Sequence, residues 1–576
     1  MPPRRPSRSP SPQARQAAVA ARGAGRLLDF GGTLVIVAIV AELGFGGWKA
    51  ALPSRADIPA ALGYTHATSG EAPGSGSAGG TRILFGSCNK LSCDAGREAA
   101  PAPGPLRMSV RLEQALSPEA VADSPFPSGQ GCVRPEAAAA IWPAIIARAE
   151  GADAWIWAGD AIYADVRLDM SEGLRLTNDP NSSFTLFKDG NKPNPFIGAT
   201  PARLTGLMQL LKDYPPYVKL RDTLPPGRIF GTFDDHDLGE NDGGADYAHR
   251  AASQEVFLDF LDEPKGSARR SQAGVYASHR VGTGNASVLL LLLDVRYNRD
   301  PYSRGPDSDG DFLGAEQWRW LQKELAGAGS AATVVVSSLP VLADRMGLGE
   351  GWYAFPKQRT KLLKLLASSD RPGVALLSGD IHLAELSLLS CSPSEAKGSA
   401  QQRWGVWEMT SSGMTHAWGA SGAYAFAPKW IRDMRRTLSW VFDLPHTVEI
   451  YDDLNFGEVL VDARGEWLTL SALDVSGKPV LSQAIPLLAR DGGGAAPRWT
   501  EQELAAVKCG PWQGPRAVAQ LQMKLWGVGV SMLLAGGLLV WSCCAGCRGL
   551  CAGRRRARTA VGGGEGRGSA CCSASF

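Results

Sequence analysis

The sequence has little net charge and few histidines. Its 576 residues carry a formal net charge of +2 and include only seven histidines. This balance conceals a segregation, because residues 1–26 hold six arginines and no acid, while residues 548–576 hold six arginines and one acid. The residues between them therefore have nine more acidic than basic side chains. An acidic middle excludes a nucleic-acid-binding surface as its main function, because such a surface is basic.

Long apolar runs are also scarce. Residues 27–48 contain a clean apolar stretch only from Thr33 to Ala41, which predicts a signal peptide or a signal anchor. The Arg- and Ser-rich start of the chain leaves a plastid transit peptide open as a further interpretation. Residues 525–542 are 18 residues without a charge and predict a transmembrane helix. Because both segments lie beside basic residues, we expect cytoplasmic ends and a luminal or extracellular middle.

Composition divides the chain into seven segments. We predict a basic, disordered N-terminus (1–26), the signal segment (27–48), a flexible linker (49–80), one α/β domain (81–490), a juxtamembrane segment (491–524), a transmembrane helix (525–542) and a Cys/Arg-rich cytoplasmic tail (543–576). Six of the eleven cysteines lie in that tail, where they are either palmitoylation sites or small residues of a disordered segment. Asn181 and Asn285 each begin an N-glycosylation tripeptide.

Strand-like and helix-like patterns alternate in the middle of the chain, which is typical of an α/β fold. The predicted strands are residues 82–85, 154–158, 228–233, 288–293, 332–336 and 373–377, and the predicted helices are 136–148, 201–211, 315–325 and 357–366. After residue 447 the pattern changes to antiparallel strands with turns at Asn455 and Gly465. Polar residues follow nearly every predicted strand, where the catalytic groups of α/β folds gather.

Three of these strand ends hold side chains suited to metal ions. Asp160 follows one strand, with Tyr163 three residues later; a second is followed by DDHD, which includes Asp235 and His236. The third precedes SGDIH, in which alternation in an extended segment predicts that Asp380 and His382 share one side. Carboxylate, phenolate and imidazole ligands from three strands indicate a two-metal hydrolase. Each motif alone also fits a turn or a solvated acidic loop, but the ordered set favours the metal site.

The order FGSC, GDAIY, DDHD–GEND, LDVR, SGDIH and NFG resembles the PhoD-type alkaline phosphatases of the metallophosphatase superfamily, over residues 81–490. The resemblance implies an αββα sandwich of two mixed β-sheets flanked by helices. It also implies hydrolysis of phosphate mono- or diesters through attack by a metal-activated hydroxide, at a dinuclear or trinuclear site that holds Fe³⁺ and Ca²⁺. A small phosphate ester is then the substrate, while the oligomeric state is left open.

The resemblance carries roles to individual positions. It implies that Asp160 bridges the metals, that Cys88 and Tyr163 bind iron, and that Asp235 and Asn241 serve a second metal, with Asp380 and His382 completing the set. His236 would bind a phosphate oxygen or protonate the leaving group, and Arg296 would hold a phosphate oxygen unless it forms a structural ion pair. The role of His416 is left open.

The cysteine count agrees with the implied role of Cys88. The five cysteines before the tail are an odd number, so one stays unpaired in an oxidising compartment. If Cys88 binds metal, Cys93, Cys132, Cys391 and Cys509 can form two disulfides in any of three connectivities; a Cys88–Cys93 disulfide is the alternative.

Two other classes of protein compete with a membrane-anchored phosphatase. A non-catalytic receptor or adhesion ectodomain could keep the fold without the activity, although every motif here keeps its metal-binding side chains. A phospholipid-directed phosphodiesterase would also suit a domain beside a bilayer.

Overall fold

The computed structural model describes thirteen stretches of the chain. They are residues 79–91, 135–168, 174, 176–178, 187–188, 192–302, 310–327, 329–343, 350–369, 373–392, 404–420, 446–487 and 508–511. All of them belong to one unit, Arg55–Ala427 with Leu438–Trp512.

The first large sheet has six strands, which are β1 Thr81–Gly86, β2 Ala154–Ala158, β7 Ile229–Thr232, β15 Phe456–Val461, β16 Trp467–Leu473 and β17 Pro479–Pro486. Their order across the sheet is β17-β16-β15-β1-β2-β7. Strands β1, β2 and β7 are parallel, and β1 pairs with β15 antiparallel. The short strands β3 (Val166–Arg167) and β6 (Phe196–Ile197) pair with each other, as do β4 (Phe187–Lys188) and β5 (Lys192–Pro193).

The strands of the second large sheet are β8 Ala277–Val281, β9 Val288–Leu292, β10 Ala332–Val336, β11 Val374–Ser378, β12 Ala384–Ser392, β13 Trp404–Ser411, β14 Thr447–Tyr451 and β18 Lys508–Pro511. Their order is β14-β12-β13-β11-β10-β9-β8, and β18 also pairs with β12. Strands β9, β10, β11 and β13 are parallel, while β8, β12 and β14 run antiparallel to their neighbours.

The helices flank these sheets. Their bounds are α1 Pro135–Ala149, α2 Pro201–Lys212, α3 Pro215–Thr223, α4 Asp235–Leu238, α5 Arg250–Phe260, α6 Ala315–Ala326 and α7 Pro356–Ser368. Helix α2 shows how the sequence begins a helix. The Thr200 side chain accepts a hydrogen bond from the backbone N–H of Arg203, and Pro201 takes the first helical position, where no N–H is needed.

Alternation along the strands builds the core. Ile83 and Phe85 of β1 join Leu290 of β9 in one buried cluster between the large sheets. Leu84, which points to the opposite face of β1, packs in a second cluster with residues of α1, α2, α3 and α5. The outer face of the second sheet packs with α6 and α7 in a third cluster. The structure thus confirms the predicted α/β class with two mixed sheets and flanking helices.

All six predicted strands and all four predicted helices are present, within about two residues of their expected bounds. The hairpin turn at Gly465, whose φ is +70°, is also confirmed. The predicted turn at Asn455 is different, because β14 belongs to the second sheet and β15 to the first. This connection therefore crosses between the sheets. Strand β18 comes from the segment predicted to be juxtamembrane, so the second sheet takes in residues beyond 490.

The pairing of β12 with β18 places Cys391 directly opposite Cys509. The three disulfide connectivities predicted for Cys93, Cys132, Cys391 and Cys509 stay predictions, because Cys93 and Cys132 lie outside the described residues.

Several predicted features lie outside the described residues. These are residues 1–78, which include the signal segment and most of the linker; most of the juxtamembrane segment; the transmembrane helix at 525–542; the tail at 543–576; Cys93 and Cys132; and the glycosylation tripeptide at Asn181. Within the part of the chain that is described, no helix has both the length and the apolar character needed to cross a membrane.

Candidate metal centre

Four candidate ligands lie just after the ends of β1, β2 and β11, and the backbone of each has a left-handed conformation with positive φ. Cys88, Asp160, Asp380 and His382 have φ angles of +59°, +46°, +72° and +56°. Residues other than glycine seldom adopt such angles, and each costs of order 1–3 kcal/mol. The prediction of an extended segment through Asp380 and His382 is therefore wrong. Two left-handed residues bend this segment, and both side chains still reach the same cluster.

A glycine precedes each of the two aspartates with positive φ, Asp160 and Asp380, because the two sheets approach closely at this edge. A Cβ atom on Gly159 would lie 2.8 Å from the Cβ atoms of both Asp234 and Ser338. A Cβ atom on Gly379 would collide with Ser87 Oγ and the carbonyl oxygen of Ala158. The glycines of GDAIY and SGDIH therefore allow the strand ends to meet.

The ligand atoms of the predicted residues converge on Asp160. Four groups of side chains have potential ligand atoms all within 4.8 Å of one another, and Asp160 belongs to three of them. A carboxylate shared by three groups would contribute a ligand atom to each of them. The groups are Cys88 with Asp160 and His382; Asp160 with Asp235 and His236; Asp160 with Asp234, Asp235 and Asp380; and Asp235 with Asp242 and Glu350.

One oxygen of Asp160 organises the Cys88 side of the cluster. Asp160 Oδ2 accepts hydrogen bonds from Cys88 Sγ at 3.4 Å and from Tyr163 Oη at 3.3 Å. Tyr163 Oη also lies 3.0 Å from His382 Nε2. Thiol, carboxylate, phenol and imidazole thus meet in one buried volume, and together they make the donor set of a transition-metal site. Cys88 is a buried free thiol, so the alternative of a Cys88–Cys93 disulfide is not what the structure shows.

The charges of the cluster also favour bound cations. Burial raises the pKa of Asp160 well above its ordinary value, and the nearby Asp234 and Asp235 raise it further. Burial likewise raises the pKa of Asp380. Asp160 Oδ1, Asp234 Oδ2 and Asp235 Oδ1 are buried without a hydrogen-bond partner. Because an unpaired buried carboxylate oxygen is costly, these residues fit metal ions well.

The three aspartates of DDHD have different surroundings. Asp234 accepts a hydrogen bond from Ser338 Oγ at 2.9 Å and also one from Arg296 Nε. Asp235 accepts from the backbone N–H of Asp242 at 2.8 Å and belongs to three of the ligand groups. Asp237 accepts from the backbone N–H of Ile162 at 3.0 Å, which ties the DDHD turn to the GDAIY loop. Asp237 thus positions a loop, whereas Asp234 and Asp235 face the cluster.

His236 is held by a carboxylate that the sequence analysis did not single out. Its Nδ1 lies 2.7 Å from Asp165 Oδ1, and its ring centroid lies 4.1 Å from that of Tyr163. Burial would lower the pKa of His236, but Asp165, Asp235 and Asp160 outweigh that effect, so the pKa lies well above its ordinary value. An imidazole oriented in this way at the edge of the cluster can donate to a phosphate oxygen or to a leaving group.

The ligand role of Asn241 stays a prediction. Its side-chain amide donates to Asp242 Oδ1 at 2.9 Å, and its backbone N–H donates to Asp165 Oδ2 at 3.0 Å. The neighbouring Asp242 joins a ligand group instead. The GEND segment therefore reaches the site, and its aspartate is a further candidate ligand beside Asn241.

The expected phosphate contact of Arg296 needs correction. Arg296 is fully buried, and its guanidinium donates to Asp234 and, at 3.0 and 2.6 Å, to the two oxygens of Glu350. The side chain is thus engaged in a structural ion-pair network. A buried guanidinium with this many carboxylate partners is not available to a substrate.

Arg296→Met is therefore expected to destabilise the fold by about 3–5 kcal/mol, because it leaves Asp234 and Glu350 buried without their counter-charge. Denaturant unfolding measures this loss. Arg464→Met is the matched control, since Arg464 is 72% exposed and pairs with Glu466 at the surface; its cost should be below about 1 kcal/mol. A fully stable Arg296→Met protein with a raised KM would restore the substrate role.

Several residues of the site were missed from the sequence. They are Asp165, Asp234, Asp242, Glu350 and Lys90. The first three lie within five residues of a recognised motif residue, and Lys90 ends the GSCNK segment, so their nearness to the motifs was a usable signal. Glu350 follows no motif, and only the fold brings it to the cluster.

Comparison with known proteins defines the class. Residues 231–471 match the family model described as PhoD-like phosphatase, which places the chain among the phosphoric ester hydrolases. The match covers fewer than half of the residues of the chain, and it agrees with the resemblance of its motifs. Cys88, Asp160 and Tyr163 precede the matched residues, and the tertiary structure brings them into the same cluster.

A solved structure described as "Structure of PhoD" is similar to this chain at 14% sequence identity, with a TM-score of 0.46. The similarity covers 80% of this chain and 79% of that chain. No curated protein was found to match the sequence.

Proposed function

We propose that this protein is a membrane-anchored, metal-dependent phosphoesterase that hydrolyses small phosphate esters. The position of Asp160 in three overlapping ligand groups carries the proposal, because such a carboxylate suits two adjacent metal ions. Cys88, Tyr163 and His382 would hold one ion, with Fe³⁺ favoured by the thiol and phenol donors. Asp235 and Asp380 would hold a second, with Ca²⁺ favoured by the carboxylate donors. Bound ions of this kind polarise phosphoryl oxygens and activate water as the nucleophile.

The chain's own residues supply proton transfer and orientation. Asp165 holds the His236 imidazole through Nδ1, which leaves Nε2 as the ring nitrogen that would donate a proton to the leaving-group oxygen. Arg296 neutralises Asp234 and fixes the DDHD turn, which keeps Asp235 in place. These retained side chains favour an enzyme over a receptor that merely keeps the fold.

The test combines metal analysis with two substrates. The full chain in detergent should contain metal ions and should hydrolyse an aryl phosphomonoester, an aryl phosphodiester or both. A correctly folded protein that binds no metal and cleaves neither substrate would refute the proposal. Hydrolysis of phospholipid vesicles but of neither aryl ester would instead favour the phospholipid-directed phosphodiesterase.

The membrane anchor and the topology rest on the sequence alone. We propose that residues 525–542 span the bilayer, with basic cytoplasmic ends and the phosphatase domain luminal or extracellular. Asn285 is exposed in a short 3₁₀ turn, which suits an N-glycosylation acceptor. In intact vesicles, added protease should remove the tail containing Arg554–Arg556 and leave the domain intact. Protection of that tail would reverse the proposed orientation.

A further inference from the structure

Lys90 lies beside the metal centre with an unengaged ammonium group. It follows Cys88 by two residues, and its Nζ lies 4.6 Å from the centroid of the Tyr163 ring. Its side chain is half-buried. Among the described residues, no hydrogen bond or ion pair to this ammonium is found. A cation over an aromatic face gains a modest attraction, but it keeps its hydrogen-bond donors free for a ligand.

The backbone around Lys90 is held by hydrogen bonds from Asn89 and Thr415. The backbone N–H of Asn89 donates to the carbonyl oxygen of Asp160 at 2.8 Å, and Asn89 Nδ2 donates to that of Ala161 at 3.0 Å. Thr415 Oγ1 donates to the carbonyl oxygen of Lys90 itself at 2.9 Å. The loop that holds the Cys88 ligand therefore also positions the Lys90 ammonium.

Two histidine rings, those of His382 and His416, lie near Lys90. The rings of His382 and His416 have centroids 4.1 Å apart, and that of His416 lies 6.3 Å from that of Tyr163. His416 Nδ1 is buried without a hydrogen-bond partner. The Lys90 ammonium thus lies over the ring of Tyr163, and the unpartnered ring nitrogen of His416 belongs to a ring beside His382. This arrangement suits an anion that reaches the metal ligands from this side.

Because Arg296 is not available to contact phosphate, Lys90 becomes the candidate cation for that contact. Arg296 is fully buried against Asp234 and Glu350, so its charge is already compensated. Among the residues that the structure describes, Lys90 forms no ion pair with a carboxylate. Lysine serves as a point-charge ligand for phosphate, whose non-bridging oxygens accept its hydrogen bonds.

We propose that Lys90 binds a non-bridging oxygen of the substrate phosphate and thereby favours phosphomonoesters over phosphodiesters. This inference rests on the proposed function. A phosphomonoester carries a charge of about −1.5 to −2 at neutral pH, whereas a phosphodiester carries only a single negative charge. A fixed ammonium therefore interacts more strongly with the monoester, and the second ester group of a diester removes one oxygen that could accept from Lys90.

The test compares Lys90→Met with a matched control in the full chain. Lys361 also places its Nζ over an aromatic ring, 4.1 Å from the centroid of Trp318, but it is an exposed residue of α7. For Lys90→Met, kcat/KM for an aryl phosphomonoester should fall by about 10- to 100-fold, the value of one charge-assisted hydrogen bond. The monoester-to-diester ratio of kcat/KM should fall with it. Inhibition by inorganic phosphate should weaken, and Lys361→Met should match the wild type in each measurement.

Two further measurements separate substrate binding from structural damage. Lys90→Met should keep the metal content and melting temperature of the wild type, and Lys90→Arg should keep most of the monoester preference. Equal losses on both esters, or an unchanged ratio, would overturn the role of Lys90 while leaving the phosphoesterase standing. A metal-loaded wild type that cleaves neither ester would instead overturn the proposed function.

Discussion

Asp160→Asn is expected to abolish both metal binding and phosphoesterase activity. Asp160 is the residue common to three of the four ligand groups, and its Oδ1 is buried without a hydrogen-bond partner. An asparagine in its place offers one neutral carbonyl oxygen and cannot bridge two cations. We expect kcat/KM to fall at least about a thousandfold, which corresponds to about 4 kcal/mol of transition-state stabilisation. Elemental analysis of the purified variant should show that at least one metal ion is lost.

Asp294→Asn provides the matched control for this experiment. Asp294 also follows directly on a parallel strand, β9, and is fully buried. Its carboxylate accepts hydrogen bonds from the backbone N–H groups of Val275, Arg296 and Tyr297, so its role is to hold loops. The control should lower the melting temperature and keep the metal. An active, metal-loaded Asp160→Asn protein would refute the proposed centre.

Without its metal ions, the protein should become less stable as the pH rises from about 4 to about 8. Burial raises the pKa of Asp234 to about 6, that of Asp237 to about 7 and that of Asp242 to about 8. In the unfolded chain these groups have pKa values of about 3.9. Between about pH 4 and pH 8 the folded, metal-stripped protein therefore binds more protons than the unfolded chain, and its stability must fall as the pH rises.

Most of the other titratable groups of the cluster act in the same direction. The pKa values of Asp160, Asp380 and His236 are also raised. The lowered pKa values of His382 and His416 act in the opposite direction below about pH 6.5, so they weaken the trend there and leave it unchanged above that pH. The pKa of Asp235 is lowered, because His236 and Arg296 outweigh the effect of its burial. The contribution of Asp235 therefore changes below about pH 4, outside this window.

Differential scanning calorimetry from pH 5 to pH 8 measures the effect. Protein stripped by a chelator should melt at lower temperature as the pH rises, whereas metal-loaded protein should not, since metal ions bind the deprotonated ligands. At pH 8 we expect a difference of order 10 °C between the two forms. Parallel curves would mean that the buried carboxylates are not the metal ligands. Arg464→Met, a surface variant, should follow the wild type in both states.

Local pattern was enough to predict the framework of this fold. Ala154–Ala158 and Val288–Leu292 are short apolar runs that end in polar residues, and they form buried parallel strands. Helices such as α6 follow a 3.6-residue apolar period that one window of sequence contains. The break from β14 to β15 was not predictable in this way. Whether a turn joins neighbours in one sheet or crosses to another depends on which strands pair, and pairing is not local.

The sequence by itself determined the strand ends, the ligand types at Asp160, Asp235, Asp380 and His382, and the family to which the motifs point. It did so because ligand chemistry depends on side-chain type, and strand ends follow from local hydrophobic pattern. Only the tertiary structure decided that Arg296 pairs with Glu350 and that Asp165 holds His236. It also decided that Lys90 faces the site. These outcomes depend on which distant segments of the chain meet at the shared edge of the two sheets. The spacing of residues along the sequence does not predict those contacts.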